Sequence, residues 1–253
     1  MAEPGFIHSE LFSQHGIIGL FTLRHGGISQ SPFDSLNFGL DLGDDATNID
    51  ANLNTLIQSA KLPGAPHQAQ QVHQCTPLWC QGVGNMHDTE ADILLTDQHN
   101  TPLAVRTADC LPILLADPYT GITAAVHAGW RGTAQTVAKQ AIQHMCERGA
   151  KAGHILASLG PCIGSCCFTI EEDTAIALKN SAESAADFVQ KTADLRQINR
   201  LQLRQCGLID THIECMDACT VCDAKRFFSF RRDAGNTGRH LAIVSIVATA
   251  CTP

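Results

Sequence analysis

No lysine- or arginine-rich run occurs anywhere in the sequence, and 17 basic residues stand against 25 acidic ones, for a formal net charge of −8. A nucleic-acid backbone or an anionic membrane surface demands a basic footprint, so neither is expected as a partner. The start, Met1-Ala2-Glu3-Pro4-Gly5-Phe6, has neither the basic stretch nor the apolar stretch of an export signal. The longest apolar run, Leu241 to Val247 and on to Ala250, is broken by Ser and Thr and is too short to span a bilayer. Fixed-period repeats, low-complexity tracts and linkers are also missing, which favours a single domain over 1–253. A chain with these absences is expected in the cytoplasm, where its 12 cysteines stay thiols or metal ligands rather than disulfides.

What is present is a soluble composition, 44% apolar and 17% charged, with the pattern of a mixed α/β protein. Strands are expected at 17–23, 70–80, 91–96, 103–106, 111–116, 122–126, 155–159, 212–216, 227–231 and 241–248. Helices are expected at 48–60, at 133–148 with Thr133 as its cap, at 171–186 and at 194–206. Gly149 and Gly207 stand where helix ends need a left-handed residue. The anticipated fold class is therefore α/β (α+β mixed), with mixed β-sheets flanked by helices.

Two metal-capable side chains stand at the edges of very apolar runs. Cys110 precedes Leu111-Pro112-Ile113, and His127 ends Ala125-Val126-His127 before Ala128-Gly129-Trp130-Arg131-Gly132. Adjoining strands could bring their ends together, with His73 as a third ligand from upstream. Imidazole, thiolate and imidazole suit a borderline-soft ion, zinc before copper, and three ligands leave one position open for chemistry. Spacing alone does not separate this from ordinary core packing.

The surrounding words do. Gln71-Val72-His73, Thr107-Ala108-Asp109-Cys110-Leu111-Pro112 and His127-Ala128-Gly129-Trp130-Arg131-Gly132-Thr133 resemble the YfiH-like laccase-domain, or polyphenol-oxidase, family. The likeness extends to Arg24-His25-Gly26-Gly27, Gly160-Pro161-Cys162-Ile163-Gly164 and Phe227-Phe228-Ser229-Phe230-Arg231-Arg232-Asp233. It implies a metal site at His73, Cys110 and His127. It also implies phosphorolysis of adenosine, inosine and S-methyl-5′-thioadenosine, with some adenosine deamination, so the expected partners are a purine nucleoside and phosphate. The expected assembly is a monomer or small homo-oligomer.

Other roles follow from chemistry. Arg131, placed just before a predicted helix, is the first choice for phosphate, and Arg24 the second. Asp109 is either a proton shuttle or a residue that orients a ligand. Phe227, Phe228 and Phe230 read as core, with one of them available to stack on a purine. Cys219-Thr220-Val221-Cys222 has the spacing of half a metal site, but a second pair is needed; Cys162, Cys166 and Cys167 are the dense cluster on offer, and all are read as packing thiols. Gly82-Val83-Gly84 lacks the further glycine of a dinucleotide loop.

Three rivals remain. A copper polyphenol oxidase needs many histidines, commonly paired as His-x-His, and none of the 12 here forms such a pair. A metal-free hydrolase would use Cys110 as nucleophile and His127 as base, in the manner associated with peptidoglycan-precursor editing. A non-catalytic scaffold has no motif to recommend it.

Overall fold

The computed structural model describes residues 4–40 and 42–248. The opening residues 1–3 and the last part of the apolar run, 249–250, lie outside them. The strands are β1 (Phe6–His8), β2 (Ile17–Thr22), β3 (Gln68–Gln70), β4 (Pro77–Trp79), β5 (Met86–Glu90), β6 (Ile93–Thr96), β7 (Leu103–Thr107), β8 (Leu111–Ala116), β9 (Thr123–Ala128), β10 (Leu156–Leu159), β11 (Ile213–Cys215) and β12 (His240–Ile246). The helices are α1 (Glu10–Ser13), α2 (Ala46–Ser59), α3 (Trp130–Ala134), α4 (Val137–Glu147), α5 (Glu172–Lys179) and α6 (Leu195–Gln205).

The strands form a four-stranded sheet in the order β1-β2-β12-β7, a six-stranded sheet in the order β11-β10-β8-β9-β6-β4, and a separate pair β3-β5. Period-two alternation of apolar side chains decides how they stack. In the four-stranded sheet Phe21, Leu103, Val105 and Val244 face the same apolar cluster as Leu94, Leu114, Ala125 and Leu156 of the six-stranded sheet. The two sheets therefore pack on each other as a sandwich. The intervening residues of the first sheet, Leu20, Ala104, Leu241 and Ile243, turn outward to a cluster closed by Leu56 of α2. Those of the second, Ile93, Ile113, Leu115, Ala124 and Val126, turn to Val137, Ala141, Ile142 and Met145 of α4 and to Ile198 and Leu203 of α6. Strands β2, β6, β7, β8, β9, β10 and β12 are covered on both faces, which is why the sequence shows unbroken apolar runs there rather than alternation. The mixed α/β class, with mixed sheets and flanking helices, is as anticipated.

Four expectations need correcting. The strand expected over 70–80 is two short strands separated by a loop, because the backbone N–H groups of Val72, His73 and Gln74 are taken up by the buried carboxylate of Asp92 instead of a neighbouring strand. The helix expected from Thr133 is broken: α3 begins at Trp130 with Gly129 as its cap, and Thr136 adopts φ 62° before α4 starts. Thr133 is buried, and its Oγ1 accepts from Asn199 Nδ2 at 2.9 Å. The helix expected over 171–186 stops at Lys179, followed by a short 3-10 turn at Ala185–Phe188. The strand expected over 227–231 is an irregular segment leading into a turn: the Phe227 N–H goes to the Asp223 carbonyl, the Phe228 N–H to His240, and the Ser229 hydroxyl and Arg231 N–H to Asp109. Helix α6 is capped by Asp194, whose Oδ1 accepts from the N–H groups of Arg196 and Gln197, and Gly207 closes it with φ 100°.

Candidate active site

One end of the sandwich gathers the polar residues that open or close the apolar strands. Asp92 stands immediately before β6, His127 is the penultimate residue of β9, and the two strands pair so that the His127 N–H donates to the Asp92 carbonyl at 2.8 Å. Their side chains meet as well: His127 Nδ1 lies 2.7 Å from Asp92 Oδ1, with both groups buried. Cys110 sits in the short crossover from β7, in one sheet, to β8, in the other. The turn is made by Asp109, at φ 91°. The loop after β3 supplies His73, itself at φ 62°. That loop is pinned twice. Asp92 accepts its three successive N–H groups, and the Gln71 amide exchanges two hydrogen bonds with the Arg106 backbone, each 2.7 Å.

These elements place the ligand atoms of His73, Cys110 and His127 within 4.8 Å of one another. The Cys110 sulfur is 3.8 Å from His73 Nε2. Bond lengths of about 2.3 Å to sulfur and 2.05 Å to nitrogen put such atoms about 3.6 Å apart on a tetrahedral ion, so the group fits one with a small closure. Asp92 sets the orientation of His127: with Nδ1 on Asp92, Nε2 is the atom turned to the ligand position, and an ion bound there would displace the proton that Nε2 carries in the metal-free chain. Gly129 is required beside them, since a Cβ there would stand 2.8 Å from His73 Cδ2 and 3.1 Å from the Cys110 sulfur.

The electrostatics agree with the geometry. Burial disfavours the Cys110 thiolate, but His127 and His73 outweigh it and bring the thiol down to about 6. Burial likewise disfavours the His127 imidazolium, and the Cys110 sulfur with Asp92 raises it to about 9. Burial pushes the Asp92 carboxyl up, while its bonds to His127 and to the loop N–H groups prevail and hold it below the usual carboxylate range. The trio thus favours a thiolate, the state in which cysteine acts as a ligand or a nucleophile.

The group opens into a cavity of about 490 Å³ lined by Arg131, Arg231 and Arg239, with Phe230, Phe168 and Trp130. Arg131 lies inside the first turn of α3, not before it as anticipated, and its guanidinium stacks 4.3 Å over the Trp130 ring. Arg24 is outside this lining: it bonds to the Asp34 carboxylate and carbonyl and to the Ala224 carbonyl. The Asp109 carboxylate accepts from Thr220 Oγ1 at 2.5 Å, Ser229 Oγ at 3.0 Å and the Arg231 N–H at 2.6 Å. Of the three phenylalanines, Phe227 and Phe228 are core, whereas Phe230 is 54% exposed and faces the cavity.

Sequence reasoning missed Asp92, Arg231 and Arg239. The available signal for Asp92 was a carboxylate opening an apolar strand, Ala91-Asp92-Ile93, and its partner is visible only through strand register. It also took four cysteines as packing thiols without seeing that they lie together. Cys166, Cys167, Cys219 and Cys222 come together, and Cys166 and Cys222 are exposed.

With this geometry in place, the likeness to known proteins is informative. The chain is 35% identical over 246 residues to the purine nucleoside phosphorylase YlmD of Geobacillus stearothermophilus, covering 90% of each chain. It is 30% identical over 243 residues to a protein named adenosine deaminase RL5, from an unknown prokaryotic organism, covering 90% of this chain and 93% of that one. The crystal structure of YlmD from Geobacillus stearothermophilus superposes with a TM-score of 0.88 at 30% identity, over 98% of both chains. The model of the family described as multi-copper polyphenol oxidoreductase laccase matches residues 18–247. The chain belongs to that family, the YfiH-like laccase-domain proteins.

Proposed function

We propose that this chain is a zinc-dependent purine nucleoside enzyme of 1–253 as one domain. It cleaves adenosine, inosine and S-methyl-5′-thioadenosine with phosphate to the free base and (methylthio)ribose 1-phosphate, and it also deaminates adenosine. The observation that carries the reading is the His73–Cys110–His127 group, tuned by Asp92, in a cavity lined by four arginines, of which Arg106 is held by Gln68 and Ala69 and Arg131, Arg231 and Arg239 remain as candidates for an anion. The volume, about 490 Å³, lies in the range of small-molecule sites. The names of the relatives support the same substrate class.

In this reading His73, Cys110 and His127 hold the metal, which when bound supplies a Lewis acid and an acidified water. Arg131, Arg231 and Arg239 provide planar donors suited to a phosphate oxyanion. Arg131 remains our first choice, since the other two are partly engaged by backbone carbonyls. Arg24, with its donors occupied by Asp34 and Ala224, is assigned to holding the 24–35 turn. Phe230 offers an exposed ring on which a purine stacks. Asp109 is a positioning residue: three donors fill its carboxylate, and through them it ties the cavity wall at 220 and 229–231 to the Cys110 turn. We assign zinc rather than copper because this two-imidazole, one-thiolate set, which blue-copper sites share, has no axial methionine among the residues lining the cavity and no His-x-His pair of a multicopper centre beside it.

The test is product analysis with adenosine and inosine, with and without phosphate. Base and ribose 1-phosphate formed only with phosphate establish the phosphorylase. Inosine from adenosine without phosphate establishes the deaminase, and neither product sinks the reading. The low pKa of Cys110 favours one second reading, a Cys-His hydrolase with Cys110 attacking and His127 as base. Activity that survives chelators and is abolished by thiol alkylation would replace the metal assignment with that one.

A further inference from the structure

The loop after β10 and the loop after β11 bring four thiols to one point behind the cavity wall, none of them among its lining residues. The sulfur atoms of Cys166, Cys167, Cys219 and Cys222 all lie within 4.8 Å of one another. Cys222 Sγ is 3.6 Å from Cys166 Sγ and 3.4 Å from Cys167 Sγ. Four thiolates on one tetrahedral zinc, with bonds of about 2.3 Å, stand about 3.8 Å apart. The cluster is thus close to the size of a filled site before any ion enters. Apolar burial does not explain it, since Cys166 and Cys222 are exposed. The local chain also supports a thiolate at one of the four, Cys219. Cys219-Thr220-Val221-Cys222 forms a tight turn, and the Gly164 N–H donates to the Cys219 sulfur at 3.2 Å. The two loops are held in register independently of the thiols, by a bridge pairing Cys162 with Cys219 and a hydrogen bond from Thr220 N to the Cys162 carbonyl at 3.1 Å.

A third group, His67, Cys80 and His87, fails the same measure. Its imidazole nitrogens are 2.8 Å apart, a hydrogen bond, whereas two nitrogens on one zinc stand about 3.3 Å apart.

We propose that Cys166, Cys167, Cys219 and Cys222 bind one zinc ion as a closed four-thiolate structural site, distinct from the His73–Cys110–His127 centre. Binding releases thiol protons and involves no oxidation. Its consequence is mechanical. Beside the first pair, Thr169 accepts from the Arg231 guanidinium at 3.1 Å and Phe168 lines the cavity. Within the second pair, Thr220 bonds to Asp109. The ion would lock together the two loops from which this wall of the cavity is made.

Metal content per chain, measured after purification with a non-thiol reductant, tests this. Wild type is expected to carry about two zinc ions, Cys110→Ala about one, Cys166→Ser/Cys222→Ser about one, and the triple variant none. In parallel, the full-length Cys110→Ala chain is stripped of metal and titrated with Co²⁺. The expected result is the thiolate-to-cobalt charge-transfer and d–d bands of a tetrahedral four-sulfur site, saturating at one equivalent and bleached by Zn²⁺. Unchanged zinc in Cys166→Ser/Cys222→Ser with native circular dichroism would overturn the proposal. So would a cobalt titration without four-sulfur bands, or a thiol count placing these cysteines in disulfides. If the double variant does not fold, the cobalt titration decides alone.

Discussion

Replacing Asp92 by asparagine is the sharpest test of how the centre is held. The carboxylate accepts four donors: Val72 N at 3.1 Å and Gln74 N at 2.9 Å on Oδ2, His73 N at 3.0 Å and His127 Nδ1 at 2.7 Å on Oδ1. Asparagine keeps the shape but turns one acceptor into a donor. If its NH2 occupies the Oδ2 position, two loop N–H groups lose their acceptor, at about 1–3 kcal/mol each. If it occupies the Oδ1 position, the His73 N–H is orphaned and His127 Nδ1 must become an acceptor. The imidazole proton then moves to Nε2, which can no longer bind a metal. Either rotamer damages the site, so Asp92→Asn should weaken metal binding by about 10–100-fold. It should also destabilise the metal-stripped chain by about 2–5 kcal/mol. Affinity is read by competition with a chromophoric chelator, and stability by urea unfolding of metal-free protein. Affinity within twofold of wild type together with an unchanged urea midpoint would refute the reasoning.

Further expectations follow from the same geometry. Gly129→Ala places a methyl against His73 and the Cys110 sulfur, and should lower metal affinity at least about tenfold without removing any ligand; wild-type affinity would show that the ligands do not need this spacing. His73→Ala, Cys110→Ala and His127→Ala should each lose the cavity metal and the nucleoside activity together, measured by metal analysis and turnover, and full activity in one of them would exclude that residue. His240 is buried and accepts the Phe228 N–H at 2.8 Å; burial, with Arg24 nearby, pushes it down to about 3. Since the unfolded histidine takes up a proton near 6.5 and the folded one does not, stability is lost as pH falls from about 6.5 toward 3, by up to about 1.4 kcal/mol per unit. His240→Gln keeps an acceptor but cannot titrate, so its unfolding free energy should fall less steeply than wild type below pH 6.5; parallel slopes would contradict the assignment.

Much of this was legible in the sequence where a residue's neighbours in the chain decide its state. The buried strands β6 to β9 read as apolar runs, α6 announced itself through Asp194 and Gly207, and the convergence of His73, Cys110 and His127 on one cavity was readable from the words around them. What escaped depended on partners far along the chain. The loop at 71–76 exists because Asp92 takes its N–H groups, and 227–231 is not a strand because its N–H groups go to Asp223, His240 and, more than a hundred residues earlier, Asp109. The Cys166–Cys167 pair could not be matched to Cys219–Cys222 without the parallel bridge that aligns the two loops. Arg231 and Arg239 reach the cavity only because the segment before β12 wraps over the Cys110 turn.

The place of β12 in the four-stranded sheet has a consequence for how the molecule is made. It lies between β2 and β7, pairing Ile243 with Leu20 on one side and with Ala104 on the other. Until residues 240–246 have left the ribosome, both neighbours present unpaired edges with apolar side chains on either face. Such edges are the usual starting points of aggregation in slowly completed sheets. During synthesis the first half of this protein therefore carries the exposed edges that chaperones shield, and substitutions that weaken β12 should cost soluble yield before they cost catalysis.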